Sequence, residues 1–277
     1  MGNSVWRQGP DWKERDAMKT KLTKIEPIGV DNFNIMLHGP IAAGKSSFVD
    51  SVKSVFVDHV AVNVLAQAHT DHSCTQTYSG HRIEYKGSAL PFVIYDVMGM
   101  EDSMASKGMH SDDILNALKG HIREGYEFDP KEPLDATSEW YNAHPSKNEK
   151  IHCLVCVVSA NNITLQKTVA QKMRDIRQQA NKLGIPQIVI LTMPDLACPK
   201  VASDLKNIFS STEIKTKVDY CSNELGAPLN CIFPVKNYHS ETKLNDAIDV
   251  LVLDALIHIV QAAKDYLWSL QHSGKAD

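Results

Sequence analysis

The chain has 277 residues, of which 43% are hydrophobic and 22% are charged, a composition that excludes a disordered chain and predicts one or two folded domains. Its 29 basic and 33 acidic residues leave a formal net charge of −4, so we expect no nucleic-acid partner and no general attraction to an anionic membrane. No apolar run reaches the ~18 residues of a membrane span. The first 25 residues are polar and charged, and six cysteines are too few for a disulfide scaffold. Together these features predict a cytosolic or nuclear protein with reduced thiols, and the cytoplasm is the location we expect.

Residues 1–32 show no clear apolar periodicity, and we predict an N-terminal arm whose Trp6 and Trp12 pack on the main domain. That domain is predicted to occupy 33–270, followed by a tail over 271–277. Continuous apolar runs and one alternating run predict strands at 33–38, 81–85, 91–95, 151–158, 187–192 and 230–235. Patterns with helical spacing predict helices at 46–57, 111–122, 163–183, 201–219 and 244–270.

The alternation of buried strands with amphipathic helices predicts an α/β fold, in which a mostly parallel central sheet carries helices on both faces. Pro234 cannot donate to a sheet ladder, so the last predicted strand is expected at an edge of the sheet or to end near this residue. The segment 124–150 is too long for an ordinary connection, and we predict an insertion loop that carries function or mobility.

The turn after the first strand has the complete phosphate-loop pattern G-x-x-x-x-G-K-[ST], the signature of a P-loop NTPase. Glycines let backbone N–H groups approach phosphate oxygens, and the N-terminus of the following helix adds partial positive charge. Lys45 is predicted to reach the β- and γ-phosphates, and Ser46 is predicted to ligate Mg²⁺. The nucleotide-binding residues predicted in this loop are Gly39, Ile41, Ala42, Ala43, Gly44, Lys45, Ser46 and Ser47.

A second motif follows the strand at 91–95, where Asp96-Val97-Met98-Gly99 has the D-x-x-G form that GTPases use. Asp96 is predicted to hold the metal shell, and the N–H of Gly99 is predicted to meet the γ-phosphate. A threonine of the preceding loop is expected to complete the Mg²⁺ coordination. Thr75 has the best spacing and Thr77 is the alternative, although an ordinary polar loop explains both almost as well.

The strand at 187–192 runs into Thr192-Met193-Pro194-Asp195, which matches the guanine-reading pattern [NT]-K-x-D except at Met193. Asp195 is predicted to accept hydrogen bonds from guanine, with Met193 covering the ring where a lysine usually stacks. A helix N-cap is the alternative role for Asp195. Lys236, which follows the last strand, is predicted to add backbone contacts to the base.

The motifs lack the residues that usually promote GTP hydrolysis, and no catalytic residue is assigned. Many GTPases carry a water-positioning Gln directly after D-x-x-G, but here that position is Met100, and Glu101 is offset by one residue. Arg82 is the only arginine between the phosphate loop and Asp96, and it lies in a strand predicted to be exposed. Slow hydrolysis, or hydrolysis that needs a partner, is therefore expected.

Two further groups of residues are interpreted as structural. Cys153 and Cys156 lie three apart on one predicted strand and so point to opposite faces, which favours buried thiols over a zinc site. His69, His72 and Cys74 share a loop, and a polar loop explains them better than a metal site does.

Several stretches closely resemble the interferon-induced protein 44 family, including its 44-like members: FNIMLHGPIAAGKSSFVDSVKSVF, LPFVIYDVMGMED, DDILNALKGHIREGYEF, IHCLVCVVSAN and LTMPDL. The resemblance covers about residues 30–270. It implies a P-loop GTPase-type domain in an interferon-inducible, cytoplasmic protein of the antiviral and immune response. By motif, it also implies phosphate binding at the P-loop glycines, Lys45 and Ser46, and a metal-side loop at Asp96 and Gly99.

We therefore expect a protein that binds GTP or GDP with Mg²⁺, and that hydrolyses GTP slowly or with the help of a homodimer partner or protein effector. Met100 and Met193 favour an alternative, a catalytically silent pseudo-GTPase that acts as a protein-interaction module. An ATP-binding P-loop protein is the other alternative, which requires Asp195 to be turned away from the base.

Overall fold

A computed structural model of the chain describes residues 5–61, 77–100, 110–129, 131–163 and 165–272. The strands in these ranges are β1 (Phe33–His38), β2 (Ser79–Tyr85), β3 (Ser88–Asp96), β4 (Cys153–Ser159), β5 (Gln187–Thr192) and β6 (Ile232–Val235). The α-helices are α1 (Arg15–Lys24), α2 (Lys45–Val57), α3 (Ser111–Leu118), α4 (Lys167–Lys182), α5 (Pro194–Ala197), α6 (Pro199–Ser203), α7 (Thr212–Leu225) and α8 (Asp246–His272). Two 3-10 helices cover Leu205–Ser210 and Leu229–Cys231.

The strands form one six-stranded sheet in the order β2-β3-β1-β4-β5-β6. Every neighbouring pair is parallel except β2 and β3, which are antiparallel. The mostly parallel α/β sheet expected from the sequence is therefore confirmed. Strand β6 lies at an edge of the sheet, as expected for a strand that contains Pro234. Its outer side has no neighbouring strand, so the missing N–H of proline breaks no hydrogen bond there.

Helices cover both faces of the sheet, as the sequence predicted. On one face, α3, α4 and α7 bury residues such as Ile114, Met173 and Val218; on the other, α1, α2 and α8 form a second apolar cluster. Cys153 belongs to the second cluster and Cys156 to the first. Burial raises the pKa of both thiols, so they are core residues, as their spacing indicated.

The N-terminal segment contains a helix that the sequence analysis missed. Helix α1 packs on α8, although Lys19 and Leu22 are its only buried residues. So sparse an apolar face gives no periodic signal. The indoles pack on the domain as expected: Trp6 and Trp12 lie 5.8 and 6.2 Å from the ring of Phe209.

The single helix predicted over 201–219 is wrong. The chain there passes from α6 through a 3-10 helix to α7, which continues to Leu225. Two capping side chains explain the break, because Asp204 accepts a hydrogen bond from Lys206 N–H and Ser211 accepts one from Ile214 N–H. Helix α7 then ends at Gly226, whose φ of 68° suits a left-handed C-cap.

In its described residues, the segment 124–150 forms no regular helix or strand, but it is packed rather than loose. Phe128 and Leu134 are buried, and Leu134 N–H donates to the carboxylate of Asp113 at 2.7 Å. Glu127 pairs with Thr77 next to the start of β2. The segment thus protects part of an edge strand, which gives it a packing role.

No helix among the described residues combines the length and apolar character needed to cross a lipid bilayer.

Candidate nucleotide-binding site

The P-loop connects β1 to α2 at the carboxyl edge of the parallel strands, where ligands bind in open α/β sheets. A Cβ at Gly39 would come within 2.1 Å of the Val157 carbonyl, so only glycine fits against β4 at this point. Left-handed backbone at Ala42 (φ 59°) and Gly44 (φ 90°) turns the chain into the helix. The first bond of that helix runs from Phe48 N–H to the Gly44 carbonyl. The N–H groups just before it therefore stand at the helix start, available to a ligand.

Lys45 is held inside this loop. Its Nζ donates to the carbonyls of Gly39 and Pro40 at 3.3 and 3.1 Å, and the residue is only 7% exposed. Burial lowers the pKa of Lys45, against the opposing effect of the Asp96 charge. Burial, with the Lys45 charge, also lowers the pKa of His38 to about 3. The neighbouring imidazole is therefore neutral.

Ser46 and Asp96 come from motifs fifty residues apart in the chain, and the fold brings them together. The register of β1 against β3 aligns Leu37 with Asp96. The Ser46 hydroxyl then donates to Asp96 Oδ2 at 2.5 Å. A hydroxyl and a buried carboxylate are hard oxygen donors of the kind that Mg²⁺ prefers. The two predicted metal-side residues therefore fit an Mg²⁺ ion.

The D-x-x-G loop lies directly on the P-loop. Met100 N–H donates to the Gly39 carbonyl at 3.0 Å, and Ile41 N–H donates to the Met100 carbonyl at 3.2 Å. A Cβ at Gly99 would stand 2.9 Å from Ile41 N. The Met100 side chain is 2% exposed. The position that carries a water-orienting Gln in many GTPases thus holds a buried apolar side chain.

Two of the predicted phosphate-binding amides are used within the protein. Ile41 N–H is occupied by Met100, and Ala43 N–H donates to the Pro40 carbonyl at 3.3 Å. The amides of residues 44–47, at the start of α2, are therefore better placed for phosphate than the first half of the loop.

Thr192, which the sequence predicts among the nucleotide-binding residues, supports the P-loop. The residue is completely buried. Its hydroxyl lies 2.7 Å from the Ala43 carbonyl and 3.1 Å from that of Val158. Asn237, which the sequence analysis did not single out for its side chain, adds a second support by donating Nδ2 to the Gly44 carbonyl at 3.0 Å. The ends of β5 and β6 therefore fix the P-loop from one side.

Asp195 does not cap a helix, so the alternative role proposed for it is wrong. Met193 occupies the N-cap position of α5, with φ of 56° and no side-chain cap. Asp195 Oδ2 instead lies 3.3 Å from Nζ of Lys236, which also lies 2.6 Å from Glu241 Oε1. The Met193 sulfur accepts a hydrogen bond from the Ser159 hydroxyl. The side chain of Lys236 thus forms two ion pairs, and the backbone contacts with the base that the sequence predicted stay a prediction.

Asp195, Lys236 and Glu241, here called the base-end cluster, are joined by two ion pairs that share the Lys236 ammonium. Burial disfavours the ammonium of Lys236, but the hydrogen bond to Glu241 and the charge of Asp195 raise its pKa overall. Burial also opposes ionisation of Glu241, but hydrogen bonds from Lys236 and from His239 N–H lower its pKa to about 2. Lys236 and Glu241 are consequently charged at neutral pH.

Some predicted residues cannot be placed. Thr75 and Glu101 lie outside the described residues, as do the loop residues His69, His72 and Cys74. In the described part of the chain, no group of three His, Cys, Asp or Glu side chains is arranged to hold a metal. A cavity of about 360 Å³ adjoins the P-loop near Met100 and Met193, and its polar lining residues are Ser159, Asn161, Asn162 and Gln166.

The sheet order, the P-loop and the D-x-x-G loop define an α/β domain of the P-loop NTPase class. Curated proteins similar to the chain are interferon-induced protein 44 of Mus musculus (32% identical over 254 residues, 90% of this chain) and of Homo sapiens (33% over 261 residues, 92%). Human interferon-induced protein 44-like is 31% identical over 244 residues, 87% of this chain. The chain is thus a homologue of the interferon-induced protein 44 family over most of its length, which confirms the resemblance found in its sequence.

The chain spans 59%, 58% and 54% of the length of these three relatives. No family model matches it. Among solved structures, translation elongation factor SelB of Methanococcus maripaludis in complex with the GTP analogue GppNHp aligns with a TM-score of 0.40 and 15% identity, over 86% of this chain and 35% of that chain. A dimerization-deficient mutant of Toc33 from Arabidopsis thaliana aligns with a TM-score of 0.47 and 13% identity, over 96% and 97%.

Proposed function

We propose that this protein binds a guanine nucleotide together with Mg²⁺, and that it hydrolyses GTP slowly or with the help of a partner. The observation that carries the proposal is the 2.5 Å hydrogen bond between Ser46 and Asp96. The two residues come from separate motifs, and the fold brings both to the side of Lys45. A P-loop that served only as a turn would not require this arrangement.

The phosphate groups would be bound by Lys45 and by the backbone N–H groups of residues 44–47. An ammonium that contacts phosphate oxygen forms a charge-assisted hydrogen bond, and the helix N-terminus adds its partial charge. Lys45 already lies among the loop carbonyls, so little side-chain entropy remains to be lost on binding. These contacts do not depend on the base.

Ser46 and Asp96 would hold the metal, with Thr75 proposed as a further ligand. When bound, Mg²⁺ supplies charge that offsets the phosphate oxygens. The Ser46 hydroxyl would turn from Asp96 toward the ion, and Asp96 would accept hydrogen bonds from the ion's water shell.

Guanine would be selected by Asp195, whose carboxylate accepts from the N–H groups that guanine presents and adenine lacks. Support comes from the position of Asp195 beside Lys236, and from Thr192 and Asn237, which tie the adjoining loops to the P-loop. An ATP-binding protein would need another group to read adenine.

Hydrolysis is proposed to be slow because Met100 is buried and its backbone is bound to Gly39 and Ile41. A homodimer partner or a protein effector would then supply the missing water-positioning or charge-stabilising group. Because its relatives are named as interferon-induced, we propose that this protein acts in the interferon response, with a cytoplasmic location and an antiviral and immune role.

A second candidate is a pseudo-GTPase that works through protein contacts, with or without bound nucleotide. The buried Met100 side chain is the observation that favours it. If the pseudo-GTPase still binds nucleotide, it differs from the first candidate only in that it does not hydrolyse GTP.

Calorimetric titration of the purified chain with GTP, GDP and ATP, each with Mg²⁺ and again with EDTA, tests the proposal. We expect GTP and GDP to bind with Mg²⁺, and ATP to bind more weakly. Removal of Mg²⁺ should weaken GTP binding. Absence of binding by all three nucleotides would contradict the proposal, and equal curves for GTP and ATP would contradict its guanine preference.

A further inference from the structure

We propose that Lys236 is a specificity-determining residue that reads the 6-oxo group of guanine through its side chain, and that Glu241 is the positioning residue that holds it there. The inference rests on the nucleotide-binding function proposed above and adds a donor to the acceptor that Asp195 provides. The geometry of the base-end cluster is its starting point.

The ammonium of Lys236 is fixed between two carboxylates, 3.3 Å from Asp195 Oδ2 and 2.6 Å from Glu241 Oε1. Glu241 is itself anchored, because its other oxygen accepts from the N–H groups of His239 and Ser240 at 2.9 and 3.2 Å. An ammonium has three N–H donors. The two carboxylates engage two of them, which leaves one for an acceptor on a ligand.

The cluster stands where the base of a P-loop-bound nucleotide would arrive. Lys236 directly precedes Asn237, whose side chain bonds to the Gly44 carbonyl. Asp195 follows three residues after Thr192, whose hydroxyl bonds to the Ala43 carbonyl. Both members of the pair are therefore attached to the P-loop by short rigid links. Their side chains are 18% and 19% exposed, so they face an opening rather than the core.

The chemistry of the pair matches guanine. Guanine presents a 6-oxo acceptor beside ring and amino N–H donors, while adenine presents an amino donor at the equivalent place. A carboxylate next to an ammonium offers an acceptor next to a donor. Adenine would bring its amino group against the Lys236 ammonium, which leaves two donors facing each other.

This arrangement also accounts for the departure at Met193. That side chain has no charge, and its sulfur accepts from Ser159, on the β4 side of the loop. The guanine-reading pattern has a lysine where this chain has Met193. Here the lysine is Lys236, in the loop that follows β6. The Lys236 side chain is only 18% exposed and contacts two carboxylates, which distinguishes it from an ordinary surface lysine.

Lys236→Met tests the proposal, because it keeps the length and apolar stem of the side chain and removes the ammonium. Affinities of the full chain for fluorescent GDP, IDP and ADP would be measured with Mg²⁺. Inosine keeps the 6-oxo group of guanine and lacks its 2-amino group. We expect GDP and IDP to weaken by the same factor, about tenfold or more, while ADP changes by less than about twofold. Lys243→Met, which removes an exposed lysine nearby, is the matched control.

Glu241→Gln provides a second variant that leaves the proposed reading groups in place. It should lower the affinity for GDP and IDP by a smaller common factor and leave ADP unchanged. An unchanged GDP to ADP ratio in Lys236→Met would overturn the inference while the nucleotide-binding function stands. Weakening of GDP without IDP would also overturn it, because Lys236 would then act through Asp195 on the 2-amino group. Failure of the unmutated chain to bind any of the three nucleotides would instead overturn the proposed function.

Discussion

The two ends of the candidate site differ in how closely they follow the pattern of a GTPase. At the phosphate end, Lys45, Ser46 and Asp96 are all present and are already in mutual contact or nearby. At the base end, Met193 replaces a lysine, and Asp195 is paired with Lys236 from another loop. Under the proposed function, the contrast means that nucleotide affinity and base selectivity would rest on separate groups of residues. Variants at each end should therefore change different quantities.

The largest effect concerns turnover, at the phosphate end. Arginine fingers supply ~10³–10⁵ in rate, and Met100 cannot orient water. We expect single-turnover GTP hydrolysis by dilute protein to lie far below about 1 per second. The rate should rise with protein concentration if a second copy supplies the missing group. A rate near about 1 per second without concentration dependence would show a self-sufficient enzyme.

Replacement of Met100 sharpens this point. Met100→Gln should leave the rate unchanged, because the residue is buried and its backbone is fixed by Gly39 and Ile41. The buried amide should also destabilise the fold by about 1–3 kcal/mol, measured by thermal unfolding. Met100→Leu is the control, which retains apolar burial. A large gain in rate with Gln would mean that the D-x-x-G loop can open to solvent.

The next effect concerns Lys45. Lys45→Ala should weaken GTP and ATP alike, by about tenfold to a hundredfold, because a charge-assisted contact contributes about 1.5–3 kcal/mol. Thermal stability should be maintained. Burial lowers the pKa of Lys45, which means that the buried ammonium is unfavourable, and the substitution removes this charge. Lys53→Ala on the same helix is the control. Equal affinities in Lys45→Ala and the unmutated protein would show that the loop is vestigial.

A smaller effect is expected where the two ends meet. Thr192→Val keeps the shape of the side chain but leaves the carbonyls of Ala43 and Val158 without its hydroxyl. We expect a loss of about 1–3 kcal/mol in unfolding free energy and a modest loss of affinity that is equal for GTP and ATP. Thr216→Val, at an exposed hydroxyl in α7, should have little effect in denaturant titration. Loss of base preference in Thr192→Val would argue that this residue contacts the base directly.

The phosphate end was predictable from sequence because its residues lie in two short motifs, each next to a buried strand. Backbone register then brings Ser46 to Asp96 without further information. The base-end cluster was less accessible. Lys236 lies 41 residues beyond Asp195 in the chain, so nothing local indicates that their side chains meet, and Glu241 is an ordinary loop residue by pattern.

The same distinction holds for the fold. Continuous apolar strands such as Gln187–Thr192 were found with their observed bounds, since burial on both faces leaves a strong signal. Helix α1 was missed because its two buried residues give no period. The break before α7 was missed because the cap at Ser211 outweighs an apolar pattern that continues across it.

The most direct test of the separation between affinity and selectivity is the binding of GDP and ADP, with Mg²⁺, to Asp195→Ala. The proposed phosphate contacts are untouched in this variant, and the carboxylate proposed to accept from guanine is gone. We predict that GDP weakens by about tenfold or more, while ADP keeps the affinity it has for the unmutated protein; any GDP preference that remains is the part proposed for Lys236. An unchanged GDP affinity, or an equal loss of both nucleotides, would contradict the account.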